Sequence, residues 1–248
     1  YGGTTSFPDE FCTNFNQDIY FGDEVTDITN FLYGVQNYNS NIRLGNKLVN
    51  LSNLFKGYST NFNGNITFGS FVEDCSYMFN GCTGFNREIN LPNTVLNVDF
   101  IFSGSDYNST FNIPKSARNI SSIFYQCSSY NKDIVIPGSV YHANSLFGIG
   151  GASSFRSNLI IEQGVISING LLQGVSGTVT NLYNMDITIP NSVYMLGIGS
   201  TSDYMNRFYG GFGQSFASVF NGNVNLFTNK SNCARFFENL TMFNANVN

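Results

Sequence analysis

One phrase recurs along the whole chain and restricts what it can fold into. Its clearest copy reads Phe85-Asn86-Arg87-Glu88-Ile89-Asn90-Leu91-Pro92-Asn93-Thr94-Val95. The leading aromatic returns at Phe15, Tyr38, Phe62, Phe85, Tyr107, Tyr130, Phe155, Tyr183, Phe220 and Phe243, in steps of 23, 24, 23, 22, 23, 25, 28, 37 and 23 residues. A period of about 20–30 residues is the signature of units that stack on one another. The next position is Asn in nine of ten copies, among them Asn63, Asn86, Asn108 and Asn131, with Arg156 the exception. Apolar residues follow four and six places after the aromatic (Ile89 and Leu91 in this copy), and then commonly a breaker: Gly22, Gly45, Gly69, Pro92, Pro114, Pro137 or Pro190.

Each column has a physical task. Apolar residues two apart form the inward face of a short strand. The following Pro or Gly ends it, because Pro has no N–H to give a neighbour. Val95, Val98, Ile101 and Phe102 are then spaced as one face of a short helical or 3-10 segment, or of a bent second strand. The Asn column is placed to bond backbone groups of adjacent units. No single unit buries both its faces, but stacked units do, each touching only its neighbours. The expected fold is therefore a β-rich α/β solenoid, with one short parallel strand per ~23-residue repeat and short helical segments on the opposite side. Ten coils at the strand spacing of roughly 4.8 Å would extend about 45–50 Å.

Residues 1–10 read as a lead-in, and 11–248 as one solenoid of about ten coils, with insertions near 173–180 and 197–219. The chain enters mid-coil and stops mid-strand, and no polar caps are visible. The expectation is a piece of something longer, or ends covered by partners.

Charged residues make up only 11% of the chain, so its polar surface is Asn, Ser, Thr and Gly. Such a neutral surface suits an extracellular or virion setting. Net charge is −5 and the 11 basic residues are scattered, which argues against nucleic acid. No run of 18 apolar residues is present, which argues against a membrane-spanning helix. The cysteines Cys12, Cys75, Cys82, Cys127 and Cys233 occupy repeat columns and read as buried small hydrophobes, with a Cys75–Cys82 bridge as the remaining option.

Two surfaces are candidates for recognition. The 197–219 insertion carries Tyr204, Phe208, Tyr209 and Phe212 among glycines, which either patch an irregular coil or form a binding loop. The strands' outward residues, with Tyr20 and Arg43 the most distinctive, form either a glycan-holding wall or a solvated sheet face. Val135 and Ile160 are adjacent outward apolars and hint at a covered patch. Catalytic motifs are lacking. His142 is the one histidine, and no metal or cofactor is expected. Asp133 and Asp186 are column members and the basis of a distant glycosidase reading.

The phrases Ile187-Thr188-Ile189-Pro190-Asn191-Ser192-Val193, Ile134-Val135-Ile136-Pro137-Gly138-Ser139-Val140 and Cys75-Ser76-Tyr77-Met78-Phe79-Asn80-Gly81-Cys82-Thr83-Gly84-Phe85-Asn86 resemble the BspA-type leucine-rich repeats. The resemblance covers residues 11–248 apart from the two insertions, and is nearest to the variant of bacterial surface proteins and bacteriophage tail or fibre proteins. It implies a right-handed solenoid used in adhesion or host recognition, and supplies no catalytic residues. Aromatics in place of leucine and Arg156 in the Asn column depart from the pattern. The expected function is non-enzymatic recognition or construction on a phage virion (tail, baseplate or fibre), with a bacterial surface adhesin as the alternative. Expected partners are a host-surface glycan or protein, other virion or surface subunits, or a second copy of the chain.

Overall fold

The computed structural model describes residues 15–29, 31–32, 35, 37–57, 61–147, 154–168, 171–172, 185–193, 221–226, 244 and 246–248. Among the described residues are seven strands of two or three residues: β1 (Ile19–Tyr20), β2 (Ile42–Arg43), β3 (Ile66–Thr67), β4 (Ile134–Ile136), β5 (Leu159–Ile161), β6 (Ile187–Ile189) and β7 (Val224–Leu226). They form three small parallel sheets, β1-β2-β3, β4-β5 and β6-β7. The register follows the sequence period: Ile19 pairs with Ile42, Ile42 with Ile66, and Ile134 with Leu159. The alternation in β4, β5 and β6 is inward, outward, inward, as the apolar columns require.

A second parallel register lies about eight residues further along each unit. Single bridges link Asp27, Asn50, Asp74, Asn97, Asn119, His142 and Ser167 in succession. The carbonyl of Val49 accepts from both Glu73 N–H and Asp74 N–H, and those of Glu73, Leu96 and Tyr141 each accept from a pair of N–H groups of the following unit in the same way.

No helix occurs among the described residues, which corrects the expectation of helical segments opposite the strands. That side is instead a ribbon of overlapping four-residue turns. In one unit Met78, Asn80 and Cys82 donate back to Cys75, Tyr77 and Phe79 carbonyls. The intervening N–H groups of Cys75, Tyr77, Phe79 and Gly81 donate to Asn97, Asp99, Ile101 and Ser103 of the next unit. The reason is the backbone. Asn53, Tyr77, Phe100 and Ser122 hold one left-handed position with φ of 55–60°, and Gly57, Gly81, Gly104 and Gln126 hold another four residues later. A left-handed residue every fourth position cannot continue a right-handed helix. It turns alternate N–H groups outward to the neighbouring unit.

The core consists of two interleaved files of rings. Phe15, Tyr38, Phe62, Phe85, Tyr107, Tyr130 and Phe155 lie near-parallel, successive centroids 5.7–6.4 Å apart. Phe55, Phe79, Phe102, Phe124 and Phe147 form the second file at 5.4–5.9 Å. The files touch within each unit, at 3.8 Å for Phe102 with Tyr107 and for Phe124 with Tyr130. Apart from Phe15 these rings are fully or almost fully buried. Offset stacking adds about 0.5–1.5 kcal/mol per pair to the area each ring buries.

Asn runs beside the first file as a hydrogen-bonded chain. The N–H of Asn39 donates to Asn16 Oδ1, Asn63 to Asn39, Asn86 to Asn63, Asn108 to Asn86, Asn131 to Asn108 and Arg156 to Asn131, at 2.7–3.2 Å. Arg156 needs no amide side chain to receive this bond, since its own backbone supplies the donor. Cys75, Cys82 and Cys127 are buried thiols. Burial pushes the Cys82 and Cys127 thiols up to about 12 and Cys75 higher still, consistent with inert packing groups.

Candidate functional site

The outward strand face is built by two rows of side chains. In the row three residues after the aromatic, polar side chains tie successive units together. Asp18 accepts from Asn41 N–H at 2.9 Å, Asn41 from Asn65 N–H at 3.1 Å, Asp133 from Asn158 N–H at 2.9 Å, Asp186 from Asn223 N–H at 2.8 Å and Asn223 from Asn246 N–H at 3.0 Å. Asn158 Nδ2 also donates to Asp133 Oδ2, and these bonds hold the Asp133 carboxyl below the usual carboxylate range. The carboxylates here act as acceptors for amides of the next unit.

The row two residues further on faces solvent. Tyr20 and Arg43 are brought side by side by the β1–β2 register, with Thr67 next in line. Tyr20 is 70% exposed, and its hydroxyl lies 3.4 Å from Asp18 Oδ2. Val135 and Ile160 are register partners, 42% and 53% exposed. Tyr204, Phe208, Tyr209 and Phe212 lie outside the described residues.

The face is not continuous. Ile19 and Phe21 donate to Asn41 and Arg43 carbonyls, and Ile42 and Leu44 donate to those of Asn65 and Thr67. The equivalent bonds from Ile66 and Phe68 to Glu88 and Asn90 are not made, and no pairing joins β3 to the Ile89 segment. A shallow cleft of about 150 Å³ opens there, lined by Asn65, Ile66, Arg87, Glu88, Ile89 and Asn90. Arg87 Nη1 donates to Asn65 Oδ1 across it at 2.9 Å. Beyond the cleft a single bridge, Ile89 with Phe111, precedes the resumption of paired strands at β4.

The breaker column accounts for this seam. A Cβ on Gly45 would sit 2.1 Å from the Gly22 carbonyl oxygen, and one on Gly69 equally close to that of Gly45. The first three units therefore approach as only glycine allows. Pro92 opens the fourth unit's turn and carries a full ring, so it cannot come as close to Gly69. The Ile89–Leu91 segment before it makes no ladder pairing with β3. The change from Gly to Pro was visible in the sequence as a column of breakers, but the seam it causes depends on a close contact that spacing alone does not reveal.

On the turn side the outward residues include Tyr77 and Phe100, stacked at 4.8 Å, with Lys56 Nζ 4.8 Å from the Tyr77 ring centroid. Both rings stand on left-handed backbone. His142 is exposed and bridges Asn119 and Ser167. Among the described residues no group of three or more His, Cys, Asp and Glu is placed to hold a metal ion, and no helix is long and apolar enough to cross a membrane.

A short-period, parallel-paired repeat with an amide-rich face defines the class of protein. The family described as "Mycoplasma protein of unknown function, DUF285" matches residues 5–112 and again 46–160, together more than half of the chain, so the protein belongs to that family. Two overlapping placements are what a repeated unit produces. No curated protein and no solved structure matches the chain.

Proposed function

We propose that the chain is a right-handed solenoid of the BspA-type leucine-rich-repeat kind, serving as a non-enzymatic recognition module on an outer surface. The carrying observation is the strand face. Its carboxylates Asp18, Asp133 and Asp186 are engaged by amides of the adjacent unit, while Tyr20, Arg43, Thr67, Asn90 and Asn112 face solvent. Such a face offers many neutral donors and acceptors, the chemistry that hydroxyl-rich ligands need. The partner is a glycan or protein of a host surface.

Two settings fit this reading: a bacteriophage tail, baseplate or fibre, and a bacterial cell surface. The family's description names Mycoplasma, and this favours the cell surface. Immunogold labelling of producing cells and of any particles they release separates the two. The recognition role is tested by incubating the fluorescently labelled chain with candidate host cells. Saturable binding that survives added salt is expected, because few charges take part. Equal labelling by a scrambled-surface variant, with Tyr20, Arg43, Thr67, Asn90 and Asn112 all replaced by Ser, would refute it.

A further inference from the structure

We propose that the chain pairs with a second copy of itself, antiparallel, through an exposed row centred on Leu96. The row lies in the second parallel register, beyond the breaker turn from Tyr20 and Arg43, so the pairing is separate from the recognition reading and does not depend on it. Its members are the residues immediately before the bridging positions Asn50, Asp74, Asn97, Asn119 and His142: Val49, Glu73, Leu96, Arg118 and Tyr141. Backbone bonds hold them in line. Glu73 N–H donates to the Val49 carbonyl, Leu96 N–H to that of Glu73 and Arg118 N–H to that of Leu96, each at 2.8 Å. All five side chains are exposed, Val49 at 41%, Leu96 at 39% and Tyr141 at 48%. Single exposed apolar residues are ordinary on any protein. Here they recur at every second unit of one row, with an acid and a base in the units between.

The order apolar, acid, apolar, base, aromatic is self-complementary. A two-fold contact sets residue i against j and j against i. Turning a second copy end for end about Leu96 sets Leu96 on Leu96, Glu73 on Arg118 and Val49 on Tyr141, the last two pairs occurring twice. A parallel arrangement sets Glu73 on Glu73 and Arg118 on Arg118, which like-charge repulsion opposes. Sliding the antiparallel copy by one unit sets each charge on an apolar or aromatic side chain, which desolvates it without a partner. An unrelated partner would place no such demand on the order of the row. Neither charge is met by an opposite one within the chain. Glu73 and Arg118 stand two units apart, roughly 10 Å at the strand spacing, and the ion pair found among the described residues is Lys47 with Glu24. Arg118 is already posed for pairing: Nη1 donates to the Ser139 carbonyl at 3.1 Å, and Cζ lies 5.2 Å from the Tyr141 ring centroid. A guanidinium held in this way keeps further N–H groups for a carboxylate. Phe71, 59% exposed and two residues before Glu73, adds apolar area at the flank.

The test is sedimentation velocity of the full chain at concentrations from about 1 to 200 µM, bracketing the association of a small interface. A monomer–dimer equilibrium is expected. Glu73→Arg alone and Arg118→Glu alone each set like charges opposite one another, and each is expected to weaken the dimer at least about tenfold. Their far-ultraviolet circular dichroism should be unchanged, since both side chains are exposed. An equimolar mixture of the two variants is expected to dimerise again, because each copy then supplies the charge the other lacks, a recovery that a merely misfolded variant would not show. A chain that stays monomeric throughout, a single variant that dimerises as the unaltered chain does, or a mixture that remains monomeric would overturn the proposal. Association continuing past the dimer would also overturn it, because a two-fold contact closes on itself. None of these outcomes alters the cell-labelling result on which the recognition reading stands.

Discussion

The strand side and the turn side of each unit connect to the next unit by different means. On the strand side the connection is a parallel ladder of at most three residues, and it lapses after β3. On the turn side backbone bonds cross every junction where the strands fail: Cys75, Tyr77, Phe79 and Gly81 reach the fourth unit, Val98, Phe100, Phe102 and Gly104 the fifth, and Ser122 and Phe124 the sixth. A sheet needs neighbours at about 4.8 Å along its whole length. A turn ribbon renews its own geometry in every unit through the left-handed positions, so it tolerates a local change in packing. Continuity in the middle of the molecule therefore resides in turns and stacked rings, and the strand face is left open to other uses.

Removing a ring from the turn side should do the most damage. Phe102 stacks on Phe79, Tyr107 and Phe124 and meets Phe111 edge-on. Phe102→Ala is expected to cost about 3–5 kcal/mol in chemical denaturation. A loss below about 1 kcal/mol would mean the turn side is not the main connector. Hydrogen exchange sharpens the contrast without mutation: in the unliganded chain the amides of Tyr77, Phe79, Phe100 and Phe102 should exchange at least about tenfold more slowly than those of Ile66 and Phe68, a ratio equivalent to about 1.4 kcal/mol. Equal rates would erase the seam.

Side-chain bonds come next. Asn86→Ala strands the Asn108 N–H and should cost about 1–2 kcal/mol, while Asn86→Asp keeps the acceptor and should cost less. Two of the buried tyrosines form an internal control. Tyr107 Oη donates to the Thr110 carbonyl at 2.8 Å, whereas Tyr130 Oη has no partner among the described residues. Tyr107→Phe should therefore lose about 1 kcal/mol, and Tyr130→Phe should be neutral or stabilising. The smallest effect is a gain. Gln126 holds the left-handed position that Gly57, Gly81 and Gly104 fill in earlier units, and it is exposed. Gln126→Gly should raise stability by about 0.5–1 kcal/mol, seen as a rise in the thermal midpoint.

The strand columns and the Asn chain were legible because each answers to a simple rule: alternate burial, a terminating breaker, and an amide where backbone needs a partner. Ile42, Ile134 and Asn86 occupy the places their spacing implies. The turn ribbon was not legible. Val98, Ile101 and Phe102 carry a spacing that a helix shares, and only the φ of Phe100 and Gly104 separates the two outcomes. Aromatics such as Tyr77 and Phe100 at left-handed positions give no warning, since that conformation is uncommon for them. The second file of rings, Phe55 through Phe147, was hidden for the same reason: Phe102, the member whose spacing was read, fits a helical face equally well. Of the candidate site, the neighbouring of Tyr20 and Arg43 follows from the period alone. The seam required knowing how closely Gly45 approaches Gly22.

The Asn chain has an evolutionary corollary. Each member gives its backbone N–H to the unit before and its Oδ1 to the unit after, so every junction from Asn16 to Asn131 presents the same pair of complementary groups. A whole copy inserted by unequal recombination would find its partners waiting on both sides, whereas a gain or loss of a few residues inside the phrase would misalign them. Lineages carrying such a gene can thus change length in complete modules, and a ruler graduated in units of about two dozen residues is what this chemistry permits.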